Sequence, residues 1–222
     1  MNHNGIGMIS KDYSTQDYGD LKLCVDSAED IWEKAIEMVD KRFDERFFEN
    51  IHFLSCDGRN KYSAKNTERN GFTIMALNCL LVDTFYQFEY GVKRSDEANP
   101  DTGVSGNRAN YIAFLKSKFN NLFGVETGGR RSLAEIFYED IRCGILHSAQ
   151  TYGSSMLSCV GSRAVGYINK GDATNEGIIV EIKPLSNELE NYFKNDYIQR
   201  LRKGDLITRE RFIAKMRYVC NL

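Results

Sequence analysis

The run FTIMALNCLLVDTFYQFEYGV, residues 72–92, decides the fold. Ile74, Met75, Leu77, Leu80, Leu81, Phe85 and Phe88 put apolar side chains nearly all round a helix. Such a helix is stable only when several neighbours cover it, so the run predicts the centre of a helical bundle. Its longest apolar stretch, Phe72–Val82, is about half of what crosses a bilayer and is interrupted by Asn78, so no membrane span is expected. Asp83 and Glu89 break the apolar surface. Acids so placed demand partners. They either serve a site or pair with Arg142 or a lysine.

Working outward, Ser27 with Asp30 signals a helix start, and Trp32, Ala35, Ile36, Val39, Phe43 and Phe47 follow at helical spacing. Asp57-Gly58 opens a polar loop to Asn70, and residues 95–107 form another loop, followed by a helix at about 108–123. Ser132 with Glu135 is a capping box, continued by Leu133, Ile136, Phe137 and Ile141. Ala164–Asn169 and Gly177–Lys183 are short and β-branched, and the turn-rich KGDATNE between them predicts a β-hairpin ended by Pro184. Helices at about 186–203 and 208–219 close the chain. The expected fold is mainly α: a bundle of about five to six helices with a small β-hairpin near 164–183. One domain covers 1–222, with a flexible lead-in at 1–20, the bundle at 27–158, the hairpin at 160–184 and C-terminal helices at 186–222.

The composition suits this reading. Apolar residues make up 42% of the 222, enough for a sizeable core, and two prolines leave helices uninterrupted. The six cysteines form no CxxC pair, which argues against a zinc or redox site and against a disulfide framework. With a polar N-terminus lacking a signal-like stretch, the expected location is the cytoplasm, with no membrane role. The net charge of −2 argues against indiscriminate nucleic-acid binding. It is unevenly spread: Lys194–Leu222 holds eight basic and three acidic residues, so that stretch is +5 and the remainder −7. The basic stretch is either a phosphate-facing surface or a solvated helix face.

The chemistry centres on Arg142-Cys143-Gly144-Ile145-Leu146-His147. Cleaving RNA without a metal needs a base that takes the ribose 2′-OH proton and a cation that steadies charge on the phosphoryl oxygens. Histidine, titrating near neutrality, suits the first task, and the planar fork of arginine suits the second. Residues five apart on a regular helix differ by about 140° in azimuth. Convergence therefore needs a helix loosened near Gly144, an arginine that wraps round, or a second subunit across a two-fold axis.

The string IRCGILHSAQT, directly after Glu139-Asp140 on a late helix, resembles the signature of the HEPN superfamily, over about residues 70–155. Those proteins are helical bundles, often dimeric, and many are ribonucleases of toxin–antitoxin and phage-defence systems. The resemblance implies a metal-independent endoribonuclease and a homodimer with RNA as substrate, no cofactor and a possible antitoxin or inhibitor partner. Arg142 and His147 would be the catalytic pair. The expected product ends are a 2′,3′-cyclic phosphate and a 5′-hydroxyl. Glu139 and Cys143 are candidate assistants, although Cys143 stands where the family often has Asn, Asp or His. Arg130 and Arg131, in the loop VETGGRR, either lie near RNA phosphates or merely connect helices.

Other constellations compete. Arg46 and His52 fall within a looser version of the same spacing. Glu139, Cys143 and His147 share a helix face, as a thiol–imidazole pair or metal site would. Asp172 followed by Glu181-Ile182-Lys183 resembles the pattern of metal-dependent PD-(D/E)xK nucleases, although only two strands are expected. A non-catalytic HEPN-like module that binds nucleic acid or protein is the runner-up.

Overall fold

The computed structural model describes residues 7–59, 61–124 and 128–222. The expected lead-in at 1–6 and Val125–Thr127 of the glycine-rich loop lie outside these residues. Eight helices and a three-stranded sheet are found among the described residues, so the mainly helical reading holds. The helix number is larger than five to six because a short helix forms in the expected lead-in and one expected helix is broken in two.

Helix α1, Thr15–Asp20, lies in the expected flexible lead-in. That expectation is corrected. Ser14 and Asp17 form a reciprocal capping box, and Ile9 and Tyr18 are buried in the core. Helix α2 runs through Glu29–Phe43, a π-helical segment Asp44–Phe48, and Glu49–Ser55. Ser27 does not cap it: its Oγ accepts the Cys24 N–H, and Ala28 holds the cap position.

Helix α3, Ala64–Tyr90, is the central helix, and it begins eight residues before Phe72 because Ser63 caps it by accepting the Asn66 N–H. It ends at Gly91, whose φ of 65° is left-handed. A Cβ there would sit 2.9 Å from the Arg211 Cα, so only glycine fits this close crossing. Helices α2, α7 and α8 pack on α3. The helix is not covered all round, however. Phe72, Thr73 and Leu80 are exposed, and Ala76, Leu77 and Thr84 are half-buried along that open side.

Helix α4 is Asn107–Lys118 and α5 is Asn120–Phe123, so the helix expected at 108–123 breaks at Phe119. Helix α6 comprises Leu133–Ile136, a π-helical segment Phe137–Cys143, and Gly144–Ser148. The expected capping box of Ser132 and Glu135 is present. Helix α7 comprises Ile182–Asn191, a π-helical segment Tyr192–Tyr197, and Ile198–Arg202. Helix α8 is Leu206–Cys220.

The expected hairpin is β2, Val165–Ile168, and β3, Gly177–Glu181, paired antiparallel. It gains a third strand, β1, Met156–Ser158, parallel to β3 and placed in the segment read as helical bundle. The order is β1-β3-β2. Strand β3, with Ile178 and Val180 fully buried, leads directly into α7. Ile182 and Lys183 are therefore helical, and Pro184 sits in the first turn rather than ending a strand. Proline fits there because first-turn N–H groups have no partner within the helix.

Aromatic side chains dominate the core. Phe43 of α2 stacks on Phe193 of α7 with ring centroids 4.2 Å apart, and both pack against Phe85 of α3. Burying each ring contributes about 2–3 kcal/mol. Among the described residues, no helix is long and apolar enough to cross a membrane.

Candidate functional site

Arg142 and His147 both lie on α6, but the loosening expected near Gly144 does not fall between them. The loosening precedes Gly144: the π-helical turns end at Cys143. In these turns the amide bonds reach back five residues instead of four, so each residue rotates less. Gly144 has another task. A Cβ on it would stand 2.4 Å from the Gln150 carbonyl oxygen, so glycine lets the chain fold back beneath the helix, where the Tyr152 N–H reaches the Asp140 carbonyl at 2.9 Å. Ala149, in the left-handed region at φ 52°, ends α6 two residues after His147.

Arg142 turns inward. Its guanidinium donates to Oδ2 of Asp83 on α3 at 3.2 Å and lies over the Tyr138 ring, 5.4 Å from the centroid. Both side chains are little exposed, 13% for Arg142 and 11% for Asp83. Burial pushes the Asp83 carboxyl up, against the pull of Arg142. The pair is incomplete: Asp83 Oδ1 and Arg142 Nε are buried with no hydrogen-bond partner among the described residues. His147 is exposed, and no hydrogen bond or ion pair holds its ring among the described residues. Within one chain, therefore, the two side chains share one helix, one held against α3 and the other open to solvent.

Of the proposed assistants and RNA contacts, Glu139 and Arg131 are already engaged. Glu139 is held by Arg108 at 2.5 Å and by Arg131 at 3.0 Å, which pull its carboxyl below the usual range despite burial. Arg131 also donates to Asp140 at 3.1 Å, so its charge is balanced twice over. Arg130 is exposed, and its backbone N–H donates to Glu176. Cys143 is half-buried.

Two acids here escaped sequence reasoning. Asp140, buried, accepts from Arg131 and from the Ser155 hydroxyl, and Ser155 in turn accepts the Ile178 N–H. Glu176, also buried, gathers the N–H groups of Arg130, Arg131 and Gly171. Together they tie the loop before α6 to strand β3. The Glu139-Asp140 dipeptide was the only signal, and it does not say which acid goes inward.

The rival constellations are separated. Arg46 donates to the Met8 carbonyl while His52 meets Glu190 at 2.9 Å, so that pair diverges. Engagement of Glu139 with two arginines removes it from a set with Cys143 and His147. Asp172 accepts the N–H groups of Thr174 and Asn175, which hold its carboxyl down at about 2, in the turn that joins β2 to β3, whereas Glu181 lies at the far end of β3. Glu181 is buried at the end of β3, and Lys183, on α7, is exposed with its ammonium 4.0 Å from the centre of the Tyr62 ring. No group of three His, Cys, Asp or Glu side chains arranged to hold a metal is found among the described residues.

No family model matches this chain, and no match was found among curated proteins or solved structures.

Proposed function

We propose that this chain is a metal-independent endoribonuclease of HEPN type that works as a homodimer. His147 takes the proton from a ribose 2′-OH, whose oxygen attacks the adjacent phosphorus. The bond to the 5′ oxygen breaks, and His147 returns the proton to that leaving group. Arg142 steadies the charge on the phosphoryl oxygens, a contribution of about 3 kcal/mol for one preorganised donor. The products carry a 2′,3′-cyclic phosphate and a 5′-hydroxyl.

One observation carries this reading. A water-accessible imidazole with no protein partner among the described residues stands five residues along the same helix from a guanidinium fixed by a buried carboxylate and still holding an unused Nε–H. A second subunit supplies the convergence that one chain lacks. The open side of α3, with Leu80 44% exposed three residues from Asp83, is an apolar surface suited to that second copy. A toxin or phage-defence role, with an inhibitor protein as partner, is the biological setting we attach to the activity.

The runner-up is a non-catalytic HEPN-like module that binds nucleic acid or protein. It is favoured by the balance already struck between Arg142 and Asp83, which leaves no net charge for a phosphate. The two readings part on one experiment: total RNA incubated in EDTA with wild type, Arg142→Ala and His147→Ala. Cleavage by the wild type alone supports the enzyme. Identical behaviour of all three leaves the binding module.

A further inference from the structure

The basic C-terminal stretch has a structural explanation for most of its charges. Lys194 pairs with Asp40 and Asp44, Arg200 with Glu89 and Asp196, Arg202 with Glu33, Arg209 with Glu29, and Arg211 with Asp101. Acids of the body thus neutralise five of the eight cations of the basic end. Lys215 is different. It is 4% exposed, and its ammonium donates only to neutral oxygens, the Gln87 side chain at 2.6 Å and the Lys93 carbonyl at 2.9 Å. A buried ammonium without a counter-charge is costly.

Two more cations stand beside it. Arg42 and Arg46, one turn apart on α2, donate to the backbone carbonyls of Ile9 at 3.4 Å and Met8 at 2.9 Å. Arg42, Arg46 and Lys215 line one pocket of about 400 Å³ between α2, α3 and α8, with Phe47, Gln87 and Tyr218 also on its wall and no carboxylate among its lining residues. Burial and the neighbouring Arg42 push Lys215 down to about 8, and burial with Arg46 pushes Arg42 down to about 10. Glu97, the acid whose field reaches Lys215, is itself bound to the Lys93 N–H and Arg94.

We infer that this pocket binds the phosphoryl group of a small phosphate monoester. A doubly charged anion would add an attraction to each of the three cations and so offset the repulsion of Arg42 for Lys215 and of Arg46 for Arg42, and the two guanidinium forks match phosphate oxygens. The volume is within the ordinary range for small-molecule sites. The aromatic rings of Phe47 and Tyr218 offer flat surfaces for an attached base or sugar. This inference is independent of the ribonuclease reading, because none of its residues belongs to α6.

The test is calorimetric titration and thermal melting of the full chain with AMP, inorganic phosphate and adenosine at neutral pH. AMP is expected to bind and to raise the melting temperature, inorganic phosphate to bind more weakly, and adenosine not to bind. Lys215→Met keeps the length of the side chain and removes its charge; it is expected to fold at least as stably and to weaken AMP binding at least tenfold. Arg46→Gln, at an exposed position, is expected to weaken it as well. No binding of either phosphate at millimolar concentration overturns the proposal. So does AMP binding that is unchanged in Lys215→Met, or adenosine binding as tightly as AMP.

Discussion

The Asp83 carboxylate, 3.2 Å from the Arg142 guanidinium, fastens the central helix α3 to the helix that carries His147. Removing one partner of a buried pair strands the other charge, which costs about 3–5 kcal/mol. Asp83→Ala is therefore expected to lower stability by about 3 kcal/mol. The double variant Asp83→Ala/Arg142→Met should recover part of that loss, because no unpaired charge remains. Urea unfolding of Asp83→Ala, Arg142→Met and the double variant measures the coupling.

His147 is exposed, so its loss should be felt in chemistry and not in folding. His147→Ala is expected to reduce RNA cleavage about a hundredfold or more, the scale of general acid–base catalysis, while its thermal midpoint stays within a degree or so of wild type. A drop in stability would assign the imidazole a structural task instead.

If Arg142 of one protomer serves with His147 of the other, two dead variants should rescue each other. A mixed dimer of Arg142→Ala and His147→Ala contains one site with both residues intact. Mixing after partial unfolding should return up to a quarter of wild-type cleavage, roughly, since half the dimers are mixed and each has one of two sites. Continued inactivity of the mixture would put both residues of each site on one chain.

Gly144→Ala should be among the most damaging small substitutions in α6. The new methyl meets the Gln150 carbonyl at 2.4 Å and the Thr151 Cα at 3.3 Å, both backbone atoms. Overpacking of this kind costs about 1–3 kcal/mol, readable as a shift in the unfolding midpoint.

Glu89 provides a pH test. Burial alone would raise its carboxyl, but hydrogen bonds from Arg200 and Lys118 overcome that and hold it below the usual range, and the Tyr192 hydroxyl adds a bond at 2.7 Å. The folded-state pKa lies below the unfolded one. Its stabilisation is thus complete above the unfolded pKa and is lost as pH falls through the depressed folded value. Glu89→Gln should flatten the acid limb of the stability curve and destabilise the protein by about 3 kcal/mol at neutral pH.

Much of the helical architecture was legible, because apolar spacing and caps speak locally. Ser132 with Glu135 opened α6 as expected, and Asp83 found Arg142. What was lost has physical reasons. Strand β1 is three residues long, and only its pairing with β3 makes it a strand. Nothing local in Met156–Ser158 announces it. At the candidate site, residue types were readable but directions were not. Glu139 and Asp140 look alike in sequence, yet the chain turns one toward Arg108 and buries the other against Ser155.

The π-helical turns were also missed, although a trace of them was present. Ala35, Val39, Phe43, Phe47 and Ile51 recur every four residues, as do Leu133, Phe137, Ile141 and Ile145, and Leu185, Leu189, Phe193, Tyr197 and Leu201. On a regular helix such a stripe drifts about 40° per step. A wider turn takes up the drift. The spacing is not sufficient alone, since Thr208, Phe212, Met216 and Cys220 repeat it in α8, which is α-helical throughout.

These wide turns give three of the helices slack in their length. Dropping one residue from Phe137–Cys143 would let the turn relax to ordinary winding, with Leu133 and Ile145 still facing the same side. The same loss from the middle of α3 would swing everything beyond it by about 100° and pull Asp83 away from Arg142. Tolerance of one-residue length changes is thus written into α2, α6 and α7 and withheld from the helix they surround.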